Sequence, residues 1–324
     1  MSNILVCGDF FCGEKDDFDL LTLDNYLGHI DCKLIMNFEG AWAPIPTYHD
    51  SKNKVILEQS NKISVSLTQN IYYSIYNNHT TDFGPDGVKV LKHKLAHPNS
   101  KASAKSNGNS LTVNDQKIVF LGDEKEGVSC QELDLIKFRR SAILRNQKLI
   151  HNAHVIVHGG LEYRKHPTPY QRSLAHLIIR LGAKSVIFHH SHIEGTYEIL
   201  DGKLIHYGLG NFFFTETFGL HGHDQDTRLM IMFDQNDSWD FYQLTNEYSL
   251  ERKERIPVKY PDQKHYSSWY KSQHTFDLGL RPRQLFTSEI LTHLQFKAWH
   301  IFASNLVRMG ISKKIKKILS HVLR

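Results

Sequence analysis

The chain has 324 residues, of which 40% are apolar and 23% charged, with a formal net charge of +5. That length can bury a large core, and the apolar content excludes disorder as the main state. The small positive balance does not point to nucleic acid, although it suits an anionic substrate or a membrane surface.

The four cysteines, Cys7, Cys12, Cys32 and Cys130, show no C-x-x-C or zinc-ribbon spacing and are read as reduced thiols. No apolar run approaches the ~20 residues a spanning helix needs, and Asn3 leads straight into an apolar run with no basic leader before it. The expected location is therefore cytoplasmic, peripheral to the inner face of the membrane if the C-terminal segment binds lipid.

In chain order, Ile4–Cys7, Lys33–Met36, Ile71–Tyr76, Ile118–Leu121, Val155–Val157 and Val186–Phe188 have the β-branched, apolar character of buried strands. Helical periodicity fits Gly87–Leu95, Glu132–Ile150 and Tyr170–Leu181. This alternation predicts an α/β fold with a largely parallel sheet covered on both faces. Pro98–Asn109 reads as a surface loop. Hairpins are predicted at Asn114-Asp115 and, with the stronger turn signature, at Asp201-Gly202, and a further antiparallel pair at Arg228–Phe233 with Trp239–Leu244. The character changes near Ser249. Arg252–Lys264, charged and interrupted by prolines, reads as a linker or wrapping segment, and Ser288–Val307 and Ile311–Leu323 as helices. The boundaries drawn are a main domain over 1–248 and a linker with a helical extension over 249–324.

Five core strands each present a metal-competent or proton-transferring side chain at the carboxyl end. The first gives Gly8-Asp9, the second Asn37-Phe38-Glu39-Gly40, and the third Asn77-Asn78-His79 with Asp82. The strand at Val155 gives His158-Gly159-Gly160 and then Glu162, and the strand at Val186 gives His189-His190-Ser191-His192. Ligands of open α/β sheets bind outside the carboxyl ends of strands. A lone Asp or His there is usually a helix cap or a surface group, but five in succession are hard to explain as caps. Carboxylates, imidazoles and an amide together suit two divalent ions that clamp an in-line displacement and generate a hydroxide near neutral pH. Nitrogen and oxygen donors without thiolate favour Mn, Fe or Zn over Ca or Mg. His190 and His192 alternate faces if extended, so they serve two ions only where the strand has given way to a bent loop.

Taken together, these segments resemble the CapA family of capsule and poly-γ-glutamate biosynthesis proteins, a branch related to the calcineurin-like metallophosphoesterases. The motifs that carry the resemblance are Gly8-Asp9, Asn37-Phe38-Glu39, Asn77-Asn78-His79 with Asp82 and Gly84, His158 with Gly160, Glu162 and Tyr163, His189-His190-Ser191-His192, and the run from Gly202 to Phe212, all within about residues 3–245. The resemblance implies a four-layer αββα sandwich with the site at the sheet edge. It also implies one or two divalent ions. Asp9 and His192 would hold the first, Asn78, His158 and His190 the second, and Glu39 would bridge them. His79 would protonate the leaving group, with the catalytic carboxylates Asp82 and Glu162 orienting it or a neighbouring ligand. Three departures stand out: Phe11 replaces a histidine that the phosphoesterases place two residues after the first Asp, Gly159 stands where the family more often has Trp, and Ser191 where it more often has Pro.

Other features have two readings each. His221 and His223 sit in a loop that either covers the site or is solvated. Arg228 is either an anion fork or an ordinary surface arginine, and His151 and His154 read as covering a helix-to-strand junction. In the tail, Ile311, Ile315, Ile318, Leu319, Val322 and Leu323 share one helical face, and Lys313, Lys314, Lys316, Lys317 and Arg324 fill the other. Such a helix docks on protein or lies on anionic lipid.

The functional expectation is a metal-dependent, phosphoesterase-like hydrolase acting on an anionic or polymeric substrate. Capsule or surface-polymer biosynthesis as its setting is implied by the resemblance alone. The alternative is a non-catalytic assembly or polymer-handling component that keeps the fold and at most one ion. Nucleic acid is not an expected partner, because no basic stripe with interleaved aromatics runs along the main domain. The oligomeric state is left open.

Overall fold

The computed structural model describes residues 3–14, 17–43, 57–95, 110–122, 140–215 and 226–278. Two sheets organise them, in a mixed α/β fold. The first contains β1 (Asn3–Phe11), β2 (Cys32–Phe38), β3 (Ile71–Ser74), β10 (Asn211–Phe214), β11 (Leu229–Phe233), β12 (Trp239–Leu244) and β13 (Leu250–Lys253), in the order β13-β12-β11-β1-β2-β3 with β10 also on β1. Its β1, β2, β3 and β10 run parallel, whereas β11 to β13 add antiparallel strands at one side. The second contains β4 (Ser110–Val113), β5 (Gln116–Leu121), β6 (His154–His158), β7 (Ser185–His189), β8 (Tyr197–Leu200) and β9 (Lys203–His206), in the order β4-β5-β6-β7-β9-β8. Here β5, β6, β7 and β9 are parallel, and the hairpin partners β4 and β8 form antiparallel edges. Both predicted hairpin turns are present, with left-handed backbone at Asn114, Asp115, Asp201 and Gly202.

Among the described residues three large apolar clusters make the core, beside a small one of Phe11, Leu57 and Phe214. Ile4, Val6, Ile35, Ile231 and Phe233 of the first sheet join Ile118, Phe120, Ile156, Ile187 and Leu204 of the second in one apolar layer. On its other face the first sheet packs Leu5, Cys7, Leu34 and Met36 against α1 (Leu20–His29) and α2 (Gly84–Leu95). The second packs Val155, Val157, Val186 and Phe188 against α4 (Gln147–Ile150) and α5 (Pro169–Arg180). Alternation along each strand thus serves two apolar layers at once, which is why these strands read as continuous apolar runs. Cys7, Cys12 and Cys32 are buried, and Cys130 lies outside the described residues.

Several expectations are corrected. The helix expected over Glu132–Ile150 is described only from residue 140, as α3 (Arg140–Arg145) and α4. They are separated at Asn146, whose φ of −94° and ψ of 10° leave the helical region. The first strand runs four residues beyond Cys7, so Asp9 lies inside it rather than after it. The segment Arg252–Lys264 continues β13 and then opens α6 (Gln263–Leu278). Between them Val258 donates its N–H to the Tyr197 carbonyl (2.8 Å), which is the wrapping form of that expectation. The predicted loop 98–109, the loop with His221 and His223, and the helices expected at Ser288–Val307 and Ile311–Leu323 lie outside the described residues. No helix among the described residues is long and apolar enough to cross a membrane.

Candidate metal centre

Strand β1 carries one residue more than β2 between the pairs Val6–Ile35 and Asp9–Asn37. This bulge inverts the alternation. Leu5 and Cys7 face the helices, but so do Phe10 and Cys12. Asp9 is thereby turned to the face that Ile4 and Val6 occupy, towards the second sheet. At the end of β7 the chain leaves the extended region: His190 (φ +82°) and His192 (φ +56°) are both left-handed. The bent loop required for His190 and His192 to work together is therefore present.

Asp9 and Glu39 are fully buried, and His158, His190 and His192 are at most 7% exposed. Asp9 accepts from the Asn37 amide at Oδ1 (2.7 Å) and from the His190 backbone N–H at Oδ2 (3.0 Å). Its Oδ1 lies 3.8 Å from His158 Nδ1, and its Oδ2 3.8 Å from His192 Nδ1. Glu39 Oε1 is ringed by three imidazole nitrogens, the Nε2 atoms of His79 (3.9 Å), His158 (3.9 Å) and His192 (4.0 Å). Neither Glu39 oxygen has a hydrogen-bond partner among the described residues.

That arrangement tests the donor set. A buried carboxylate without hydrogen bonds is strongly disfavoured unless a cation compensates it. Burial pushes the Glu39 carboxyl well above the usual range, and the charges of Asp9, Glu162 and Asp82 add to the effect. Burial also raises Asp9, and it lowers His158, His189 and His192 towards the neutral imidazole that coordinates metal. The N···O separations near 4 Å are too long for hydrogen bonds but close to the roughly 3–4 Å between two ligands that share an ion at ~2.1 Å each. Among the described residues four groups could each hold an ion, the donor atoms within each lying within 4.8 Å of one another: Asp9–Glu39–His192, Glu39–His158–His190, Asp9–His158–His189 and Glu162–His190–His192. The residues fit a divalent cation.

The other expected site residues are close by. Asn78 Oδ1 is 2.7 Å from His158 Nε2, so two expected ligands of one ion touch each other directly. His79, 14% exposed at its side chain, hydrogen-bonds Asp82 Oδ2 through Nδ1 (2.8 Å). The same Asp82 oxygen accepts from the Leu57 N–H (2.9 Å), fixing the carboxylate that orients the ring. Glu162 Oε1 is 3.7 Å from His190 Nε2. Phe11, two residues after Asp9, packs with Leu57 and Phe214, and Phe214 meets the His192 ring edge-on at 5.0 Å. Arg228 turns to Asn246 instead (2.7 Å). His154 is buried against Phe233 and Ser185.

Sequence reasoning missed the asparagines that hold this centre. Asn37 bridges Asp9 and His158, its amide nitrogen 3.2 Å from His158 Nδ1. Asn77 ties the loop of His79 to β2, donating to the Phe38 carbonyl (2.9 Å) and accepting from the His79 N–H (3.1 Å). Asn211 Oδ1 accepts from His192 Nδ1 (2.9 Å), which turns Nε2 towards Glu39. His189, which joins Asp9 and His158 in one donor group, was also missed as a ligand. All four lie in the motif segments, and their type and place were the available signal.

Comparison with known proteins agrees with the resemblance. The PGA biosynthesis protein CapA of Bacillus subtilis (strain 168) is 27% identical over 202 residues, covering 56% of this chain and 52% of that protein. The capsule biosynthesis protein CapA of Bacillus anthracis is 27% identical over 165 residues, covering 44% and 40%. The chain therefore spans about half the length, or less, of these curated relatives. Among solved structures, a hypothetical protein from Thermus thermophilus superposes with a TM-score of 0.40 at 14% identity, over 78% of this chain and all of that one. The family described as bacterial capsule synthesis protein PGA_cap matches residues 22–216, more than half of the 324. This chain belongs to the PGA_cap family.

Proposed function

We propose that the protein is a metal-dependent hydrolase of the phosphoesterase type, with a four-layer αββα arrangement, working at the cytoplasmic side in capsule or other surface-polymer biosynthesis. The observation that carries the reading is Glu39: a fully buried carboxylate, without a hydrogen-bond partner among the described residues, facing the Nε2 atoms of His79, His158 and His192 at 3.9–4.0 Å. One or two ions of Mn, Fe or Zn type suit this donor set, and when bound they supply Lewis-acid activation and charge neutralisation for attack on an anionic ester. The chain's own residues divide the remaining work. Asp9, Glu39, His158, His190 and His192 position the charge, Asn211 and Asn37 orient the imidazoles, and His79 holds a proton at Nε2 facing the site while Asp82 steadies Nδ1. A phosphoester, or another anionic group joined to a polymer, fits that chemistry.

The test is elemental analysis of protein purified without chelator, beside Glu39→Gln. Two ions per chain, lost in the variant together with phosphoesterase activity, is the expected outcome. Retention of both by Glu39→Gln would remove the bridging role. The second reading, a non-catalytic assembly component, is favoured by Phe11, whose packing on Leu57 and Phe214 puts carbon where the phosphoesterases have a ligand. One ion or none in the wild-type chain, with no activity on a phosphoester panel, decides for that reading.

A further inference from the structure

We propose that Glu162 is itself a metal ligand, sharing with His190 and His192 an ion next to the position that Phe11 leaves short; this rests on the metal-dependent reading above. Asp9, Glu39 and His192 are the three protein donors grouped at that position, one fewer than a closed tetrahedral site has. Phe11 supplies none, since its ring is committed to the apolar wall of Leu57 and Phe214.

Glu162 is carried on a braced loop. The Tyr163 N–H donates to the Ser191 carbonyl (2.8 Å) and the Thr196 N–H to the Lys165 carbonyl (2.8 Å), so the loop after β6 is hydrogen-bonded to the chain that carries His190 and His192. Tyr163 is left-handed (φ +58°), and its ring lies 5.9 Å from that of His192. The donor atoms of Glu162, His190 and His192 fall within 4.8 Å of one another. His192 belongs to this group and to the group with Asp9 and Glu39, so Glu162 adjoins the incomplete position.

The distance separates a ligand from an orienting group. Asp82, which orients His79, sits at hydrogen-bond distance from Nδ1 (2.8 Å). Glu162 Oε1 stands 3.7 Å from His190 Nε2, too far for that role and at the spacing of two ligands on one ion. Its side chain is 22% exposed whereas Glu39 is wholly enclosed. Glu162 is therefore the more solvent-accessible of the two carboxylates.

The experiment titrates the full chain, stripped with chelator and dialysed, with Mn²⁺ by calorimetry and electron paramagnetic resonance, comparing wild type with Glu162→Gln. The expected result is two ions in the wild type. In the variant one should weaken by at least ~10–100-fold, a change already typical of losing a group that merely supports a ligand, with the spin-coupled signal lost and circular dichroism unchanged. Two ions of unaltered affinity in Glu162→Gln would overturn the proposal. A wild-type chain that takes up no Mn²⁺ would instead overturn the metal reading beneath it. Anomalous diffraction from Mn²⁺-soaked wild-type crystals gives a check without a variant. A Glu162 oxygen at ~2.2 Å from an ion is expected, and one beyond ~3 Å overturns the assignment.

Discussion

The role proposed for His79 is that of a general acid and not of a ligand. Its Nδ1 is taken by Asp82, its Nε2 lies 3.9 Å from Glu39, and it keeps 14% of its side chain exposed, against at most 6% for Asp9, Glu39, His158, His190 and His192. None of the four donor groups includes it. His79→Ala should therefore leave metal content intact while slowing hydrolysis of esters with poor leaving groups by about 10²–10⁴-fold, and much less for activated aryl esters. Loss of metal in the variant would make it a ligand, and equal rates on poor leaving groups would remove it from the mechanism. At this scale the carboxylates and imidazoles were legible because few other roles bring such residues to successive strand ends. Asn37, Asn77 and Asn211 were not. An asparagine that orients a ligand looks, in sequence, like an asparagine that makes a turn, and only the distances to Asp9, His79 and His192 distinguish them.

The element that sets the site is β1, and its use depends on one glycine. A Cβ on Gly8 would lie 1.9 Å from the carbonyl oxygen of Gly210, the same oxygen that accepts from the Asp9 N–H at 3.0 Å. That contact docks β10 on β1 beside the bulge, and β10 brings Asn211 under His192. Gly8→Ala must push a backbone carbonyl aside. It is expected to destabilise the fold by about 1–3 kcal/mol and to weaken metal binding with it, both read from melting of the metal-loaded and chelated protein. An unshifted melting temperature would show that β10 can move freely. Strands and helices with one clean period, such as β6 and α5, were legible to within a residue or so. The bulge was not, because the strand was read as ending at Cys7, and period two carried on from there would put Asp9 on the wrong face. The break at Asn146 was hidden for a related reason: the apolar spacing continues across it while the backbone does not.

Across the whole molecule, the chain after β13 is bound to the second sheet by a buried ionic cluster. Arg172 of α5 forks onto Glu198 of β8 at 2.8–3.2 Å, and His176 and Tyr207 hydrogen-bond the same carboxylate. Arg172 also donates to the Pro261 carbonyl (2.9 Å) and lies over the rings of Tyr260 and Tyr266 at 5.2 and 4.5 Å. A helix, a sheet edge and the wrapping segment thus meet at one carboxylate, 5% exposed. The sequence showed only a proline-interrupted charged stretch, because the partners of Arg172 lie 26 and 89 residues away. Burial alone would raise the Glu198 carboxyl. The hydrogen bonds from His176, Arg172 and Tyr207 outweigh it and hold the group at about 2, against an ordinary 4.5. A depressed carboxyl contributes stability that is complete above its unfolded value and disappears as pH falls through its folded one. Wild-type melting should therefore drop between about pH 4.5 and pH 2, and Glu198→Gln should lose that component of the slope. Near neutral pH the variant should be less stable by about 3 kcal/mol, since it leaves the Arg172 charge buried without its counterion. Asp237, also depressed to about 2, is common to both proteins and cancels in the difference. Parallel melting curves for the two proteins from pH 7 to pH 2.5 would mean that the wrapping segment is held by its aromatic contacts and not by this charge.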